Sequence, residues 1–198
     1  MQFEGSYAGW GNLSVVFKTA ENDCLKVYRR GVKEEIPRKE YDLLVNFNSR
    51  GMWVPKPKEI TQVEFSSDTI DQITNEVLRK EFGKNGGSFT ALRKSFVEGT
   101  QMGRHWLFSG SIWKKYVQVN EDLFSIGYTP YDFIPHNYII TPLGAVYLID
   151  FDKVRKLSPH ELPEERRAMR KVPLTRYGKV SFDIKRWLIE AINPSENL

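Results

Sequence analysis

The chain has 198 residues, 40% hydrophobic and 27% charged, with a formal net charge of +4 and a pI near 9.0. This is the composition of a soluble globular protein, long enough to bury a core as one domain or two small lobes, and its mild basic excess favours anionic partners without naming one. The single cysteine, Cys24, excludes an internal disulfide and a cysteine-rich zinc site and fits a reducing compartment. The start MQFEGSYAGWGNL has no basic segment followed by an apolar run, and no apolar run approaches the roughly 20 residues that span a bilayer, so the expected location is cytoplasmic, without signal peptide or transmembrane segment.

Residues 1 to 28 predict three short strands: a glycine-rich one over Ser6 to Asn12, a second over Val15 to Lys18 and a third over Cys24 to Tyr28, with a turn at Ala20 to Asp23. The first turn reads Gly9-x-Gly11-x-x-Ser14-x-Val16, which fits GxGxxGxV with Ser14 in the third glycine position. Glycines there let backbone N–H groups approach phosphate oxygens closely, although the same residues also make a plain hairpin. Lys26 sits between Leu25 and Val27 and by alternation points away from them. It is either a solvated lysine on an edge strand or a lysine facing a nucleotide and held by a carboxylate from the next helix.

Glu34 to Phe47 predicts that helix, with Pro37 in its first turn and Tyr41, Leu44 and Val45 at helical spacing. Glu40, one position before the apolar stripe, is placed to reach the strand lysine; Glu34 and Glu35 are rivals outside the helix body. An extended Met52 to Pro57 follows, then a strand at Ile60 to Phe65 and one helix over Ser67 to Phe82, capped by Asp68, with Ile70, Ile73, Val77 and Leu78 on its apolar face. Ser88 to Val97 predicts another strand, and Glu98-Gly99-Thr100 breaks the pattern, giving a boundary between an N-terminal lobe of residues 1–98 and a C-terminal lobe of 99–198. His105 to Ile126 is the longest helical pattern, with Trp106, Trp113, Tyr116, Val117, Leu123 and Phe124 as core.

Tyr131 to Asp152 reads as a β-hairpin turning at Thr141-Pro142-Leu143-Gly144, with Asp132 and Asn137 before its first strand and Asp150 after its second. Hard oxygen donors converging at one end of a hairpin suit a magnesium-phosphate site. Beyond it, Lys153 to Arg186 carries 11 Lys or Arg against four Asp or Glu, with helices expected at Pro163 to Lys171 and Val180 to Ile192.

A glycine-rich turn, a strand lysine, a helix glutamate, Asp132-x-x-x-x-Asn137 and Asp150-Phe151 follow one another in the order of the protein-kinase signature set. From about Gly5 to Ile192 the chain resembles the protein-kinase-like superfamily, in particular compact bacterial members. VYLIDFDK resembles lipopolysaccharide-core sugar kinases, PHN resembles spore-coat and aminoglycoside-type kinases, and the small size resembles the RIO type. The resemblance implies an α+β two-lobe fold, with a small antiparallel sheet and one main helix in the N-lobe and a reduced, mainly helical C-lobe. It implies an ATP-dependent phosphotransferase with a hydroxyl-bearing acceptor, protein or small molecule, using ATP and Mg²⁺. The backbone of Gly9 to Ser14 and the side chain of Val16 would cover the nucleotide. Lys26 would hold the α- and β-phosphates and pair with Glu40. Ser95 to Gly99, with Phe96 and Glu98, would receive adenine. Asp132 would take the proton of the attacking hydroxyl, and Asn137 and Asp150 would hold magnesium, with Asp152 either a further metal contact or a solvated loop residue. Asp183 would brace the catalytic loop.

The departures from the pattern are specific. Pro130 and Tyr131 replace the His and Arg of H-R-D, Ile134 stands where many Ser/Thr kinases have lysine, and Asp152 replaces the glycine of D-F-G. No arginine awaits an activation-loop phosphate, so no such switch is expected. His136 is the nearby group able to donate to a phosphate or simply to the backbone. Two other functions remain open: a nucleotide-binding pseudokinase scaffold, and a basic module for an anionic polymer or membrane surface that uses the 153–186 surplus. No specific nucleic acid is expected as a partner.

Overall fold

The computed structural model describes residues 3, 5–84, 87–102, 110–131 and 133–175, with side chains through residue 170. The fold is α+β and divides into two compact units, one of Met1–Gly51 and Pro55–Phe96, the other of Met52–Val54 and Val97–Leu198.

The first unit is built on a five-stranded antiparallel sheet. Its strands are β1 (Gly5–Trp10), β2 (Ser14–Thr19), β3 (Asp23–Tyr28), β4 (Pro57–Glu64) and β5 (Ser88–Ser95), in the order β1-β2-β3-β5-β4. Lys26 therefore lies on a central strand rather than an edge. Because side chains alternate across a strand, Val15, Phe17, Leu25, Val27, Val63, Phe89 and Ala91 share one face and are buried. The cover on that face is aromatic: Phe82 meets Phe89 at 4.9 Å between centroids, Phe65 stacks on Phe89 at 5.5 Å, and Phe3 meets Phe17 edge-on at 5.4 Å. The opposite face carries Val16, Lys26 and Leu92 in one row, set by the pairings Val16↔Lys26 and Lys26↔Leu92. Against it lies α1 (Glu35–Ser49), which buries Pro37, Glu40, Leu43, Leu44 and Phe47.

The single helix expected over Ser67 to Phe82 is two. α2 (Ser67–Asp71) and α3 (Glu76–Gly83) are separated by a break in which Ile73 is fully buried. The cause is local. The Asn75 side chain accepts hydrogen bonds from the N–H groups of Val77 and Leu78, both at 3.1 Å, and so starts a new helix where the apolar period would have continued the old one. The cap of α2 is Ser66, not Asp68, and Val77 is 73% exposed rather than part of the apolar face.

In the second unit Thr100–Gln101 forms β6, although Glu98-Gly99-Thr100 reads in sequence as a break in the strand pattern. The elements are β6, α4 (Gly110–Ser125), β7 (Tyr128–Pro130), β8 (Tyr138–Ile140), β9 (Val146–Leu148), β10 (Val154–Lys156) and α5 (Leu162–Thr175), with short 3-10 turns at Pro135–Asn137 and Pro159–Glu161. The hairpin β8–β9 gains β6 as its third strand, and β7 pairs with β10. Trp113, Tyr116, Val117, Leu123 and Phe124 of α4 are buried core. Residues 103–109, with His105 and Trp106, lie outside the described residues, as do the expected helix Val180 to Ile192 and Asp183. Among the described residues no helix is long and apolar enough to cross a membrane.

Gly99 leads into β6 at a point where a Cβ atom would fall on the Ile140 carbonyl and the Ile139 side chain. The neighbouring backbone is held in the β6–β8 ladder and cannot yield cheaply. Gly99→Ala is expected to destabilise the fold by about 1–3 kcal/mol, the usual cost of overpacking, read from the midpoint of urea unfolding.

Candidate functional site

The centre of the first unit is one carboxylate. Glu40 is wholly buried. Its Oε2 accepts from Lys26 Nζ at 2.7 Å and from the Tyr28 hydroxyl at 2.8 Å; its Oε1 accepts from Lys94 Nζ at 2.9 Å. Alternation places Lys26 and Tyr28 on the same face of β3, and the pairing Cys24↔Lys94 brings the β5 lysine onto that face as well. Burial alone drives the Glu40 pKa up; the charge of Lys26, then that of Lys94, and hydrogen bonds from both override it and bring it from the ordinary 4.5 down to about 2. Glu34 and Glu35, the rival carboxylates, are exposed. Cys24 is buried beside this group, and burial raises its thiol pKa, so it stays neutral.

The glycine-rich turn lies on the same row of the sheet. Gly9 pairs with Val16, and Val16 with Lys26. The ladder shifts register between Tyr7 and Gly9, and the turn closes through Gly11 N–H donating to Ser14 O at 2.9 Å. A Cβ on Gly9 would meet nothing within 4 Å, and one on Gly11 only the Ser14 hydroxyl at 3.8 Å. Among the described residues packing requires neither glycine. Ser14 itself is buried. Phe96 follows the end of β5, with its N–H donating to Asn22 O and the Lys18 ammonium 4.6 Å from its ring centroid. Glu98 is exposed and belongs to the second unit.

In the second unit Asn137 closes the 3-10 turn just before β8, and its carbonyl accepts from Ile149 N–H at 2.9 Å. That bond puts the chain at Asn137 beside the residue preceding Asp150, so the two oxygen donors lie at one end of the hairpin; both are half-buried. Phe151 is fully buried and anchors the turn that carries Asp150 and Asp152, with Val154 N–H donating to Phe151 O at 3.1 Å. Asp152 is half-buried. Asp132 lies outside the described residues. His136 is exposed, and its carbonyl accepts from Gln101 Nε2 at 2.6 Å. Among the described residues no group of three or more His, Cys, Asp or Glu is arranged to hold a metal ion; the Asp150 carboxylate and the Asn137 side-chain amide are oxygen groups of the hard type that Mg²⁺ prefers.

A buried polar chain from α4 secures this loop. The Tyr116 hydroxyl donates to Phe133 O at 2.8 Å, Asn120 Nδ2 donates to Tyr116 O at 2.8 Å, and the Tyr138 hydroxyl donates to Asn120 Oδ1 at 2.7 Å. Sequence reasoning missed Asn120, Tyr28 and Lys94. The available signal for Lys94 was its position two residues from Leu92 on a strand, which shares a buried face; for Asn120 there was none beyond a polar residue within an apolar helix pattern.

Part of the basic surplus is neutralised within the chain. Arg155 reaches Glu161 at 3.0 Å and Glu165 at 2.7 Å, while Arg166 and Arg170 grip Glu121 at 2.8 and 3.2 Å.

No family model and no curated protein sequence matches the chain. Solved structures do, 1631 chains of them, so the fold is widely shared where the sequence is not. Among them is WbdD in co-crystal with the kinase inhibitor LY294002, at a TM-score of 0.57 and 15% identity, covering 96% of this chain and 41% of that one. This chain thus spans less than half the length of the WbdD chain. At that identity the likeness is one of fold, and the fold is a small two-lobe kinase-like one.

The Glu40 cluster sets an acid limit on stability. Its folded pKa lies below the ordinary value, so its contribution is complete above pH 4.5 and is lost as the pH falls through about 2. The shift corresponds to on the order of 3 kcal/mol. Glu40→Gln is expected to cost about 3–5 kcal/mol at neutral pH, because two buried ammoniums lose their counter-charge, and to flatten the decline in stability between pH 5 and 2 that urea titrations of the wild type would record. Asn120→Leu, which removes the buried hydrogen bonds from the Tyr138 hydroxyl and to Tyr116 O, is expected to cost about 1–3 kcal/mol in the same assay.

Proposed function

We propose that the chain is an ATP-dependent phosphotransferase that moves the γ-phosphoryl group of magnesium-bound ATP to a hydroxyl acceptor, a Ser/Thr side chain or a small molecule. The observation that carries this reading is the lysine of β3 held by a wholly buried glutamate of α1 within a kinase-like fold. The kinase inhibitor bound by WbdD supports a nucleotide site in this type of fold.

Each residue then has a task that follows from its chemistry. Lys26 binds the α- and β-phosphates, and Glu40 keeps its ammonium charged and aimed. The N–H groups of Gly9 to Ser14 cover the phosphates, where neither glycine carries a side chain to obstruct them, and Val16 lines the nucleotide beside Lys26. Phe96 and Glu98 flank the segment that takes the base. Asn137 and Asp150 hold magnesium, with Asp152 a further oxygen donor. Bound magnesium ATP supplies the transferable phosphoryl group and the charge that neutralises it. Asp132 accepts the proton of the acceptor hydroxyl as its oxygen attacks, so catalysis is mainly positioning and electrostatics. The pairing of Arg155, Arg166 and Arg170 with glutamates argues against a general polyanion-binding surface on the described part of the basic segment. An anionic acceptor remains compatible with the charge balance.

The test is a labelled-ATP transfer screen across proteins, sugars and lipids. Asp150→Ala is expected to abolish magnesium-dependent turnover. Asp132→Ala is expected to lower transfer by about 10²–10⁴-fold, the usual contribution of a general base, while ATP affinity measured by calorimetry changes little. Thermal stabilisation by magnesium ATP without transfer to any acceptor would point instead to a nucleotide-binding scaffold.

A further inference from the structure

Glu40 holds one lysine more than a phosphate-binding pair needs. Lys94 is buried, comes from a different strand, and takes the carboxylate oxygen that Lys26 and Tyr28 do not. A neutral donor could also satisfy the second oxygen of Glu40, as the Tyr28 hydroxyl does beside Lys26 on the first. The position faces α1 beside Leu92, and an ammonium is costlier to desolvate than a neutral donor, so satisfying the carboxylate alone does not call for a second full charge. The geometry points to a task performed through Glu40.

We infer that Lys94 is a positioning residue for nucleotide phosphate binding, fixing one oxygen of Glu40 so that the other is presented to Lys26. This rests on the phosphotransferase reading above. A terminal carboxylate rotates about a broad, roughly two-fold torsion, and with Lys26 as its only cation it could swing to offer either oxygen or both. With Lys94 on Oε1, and Lys26 and Tyr28 on Oε2, the carboxylate plane is held from β3 and β5 together. The Lys26 ammonium, which has three donors, then commits one of them in a fixed direction. Sharing the carboxylate between two cations also leaves less of its charge on Lys26, so more of that ammonium's field acts on an incoming phosphate.

The experiment measures magnesium-ATP affinity by calorimetry for the wild type, Lys94→Met, Glu40→Gln and the double variant, each checked for a cooperative thermal melt, with Lys26→Met as a control on the site itself. Lys94→Met is expected to weaken ATP about tenfold, raising KM for ATP more than it lowers kcat. Adding it to Glu40→Gln is expected to cost nothing further, since residues that act through one another are not additive. An affinity within twofold of the wild type, or losses that add in the double variant, would overturn the assignment. If Lys94→Met does not fold, the wild type decides through NMR of its lysine ammonium groups: the Lys94 signal shifts with that of Lys26 when magnesium ATP is added, and a Lys94 signal that stays in place sinks the idea. A wild type that binds ATP no better than Lys26→Met defeats the phosphotransferase reading itself, a result distinct from failure at Lys94 alone.

Discussion

One buried negative charge disciplines the first unit. A carboxylate withdrawn from water is tolerated only where its oxygens are fully engaged, and the partners of Glu40 come from two strands and from nowhere along its own helix. The sheet must therefore hold β3 and β5 in one register. Slipping either strand by a single residue would send its lysine into the aromatic layer and bring an apolar side chain to the carboxylate. The division of the sheet into a phenylalanine-rich face and a polar one is the result, and the glycine-rich turn falls on the polar side because Gly9, Val16 and Lys26 share a row.

The second unit solves a related problem by neutral means. Its loop between β7 and β8 has Pro130 and Tyr131 where the kinase signature has His and Arg. The hold comes from the side, through Tyr116, Asn120 and Tyr138. Each of these polar groups is buried and bonded, so the network stiffens the loop without placing a charge beside the carboxylates that follow it.

What the sequence disclosed and what it hid divide along physical lines. Strands β2 and β3, helix α1 and the hairpin at Thr141 to Gly144 follow from alternation, a 3.6-residue period and turn residues, all of them local signals. The choice of Glu40 for Lys26 followed from its place beside the apolar stripe, whereas Glu34 and Glu35, at the start of the helix, are exposed. The split of α2 from α3 was hidden because the apolar period runs through it, and only the competing cap at Asn75 reveals the break. Lys94 was hidden for another reason. Its bond to Glu40 joins residues 54 positions apart, and no pattern in β5 announces which strand will lie beside it or in what register. Asn137 and Asp150 were conspicuous by spacing; what brings their backbones together is the Ile149 to Asn137 hydrogen bond, a tertiary fact. Asp132 is known from its place in the sequence alone.

The fork at Arg155 carries a consequence for control. Its guanidinium joins β10 to the turn at Glu161 and to Glu165 of α5, and the Ser158 N–H adds a bond to Glu161 at 2.9 Å. The stretch after Asp152 thus carries its own counter-charge. Because the fork is partly exposed, salt screens it, and its grip on the turn and on α5 weakens as ionic strength rises.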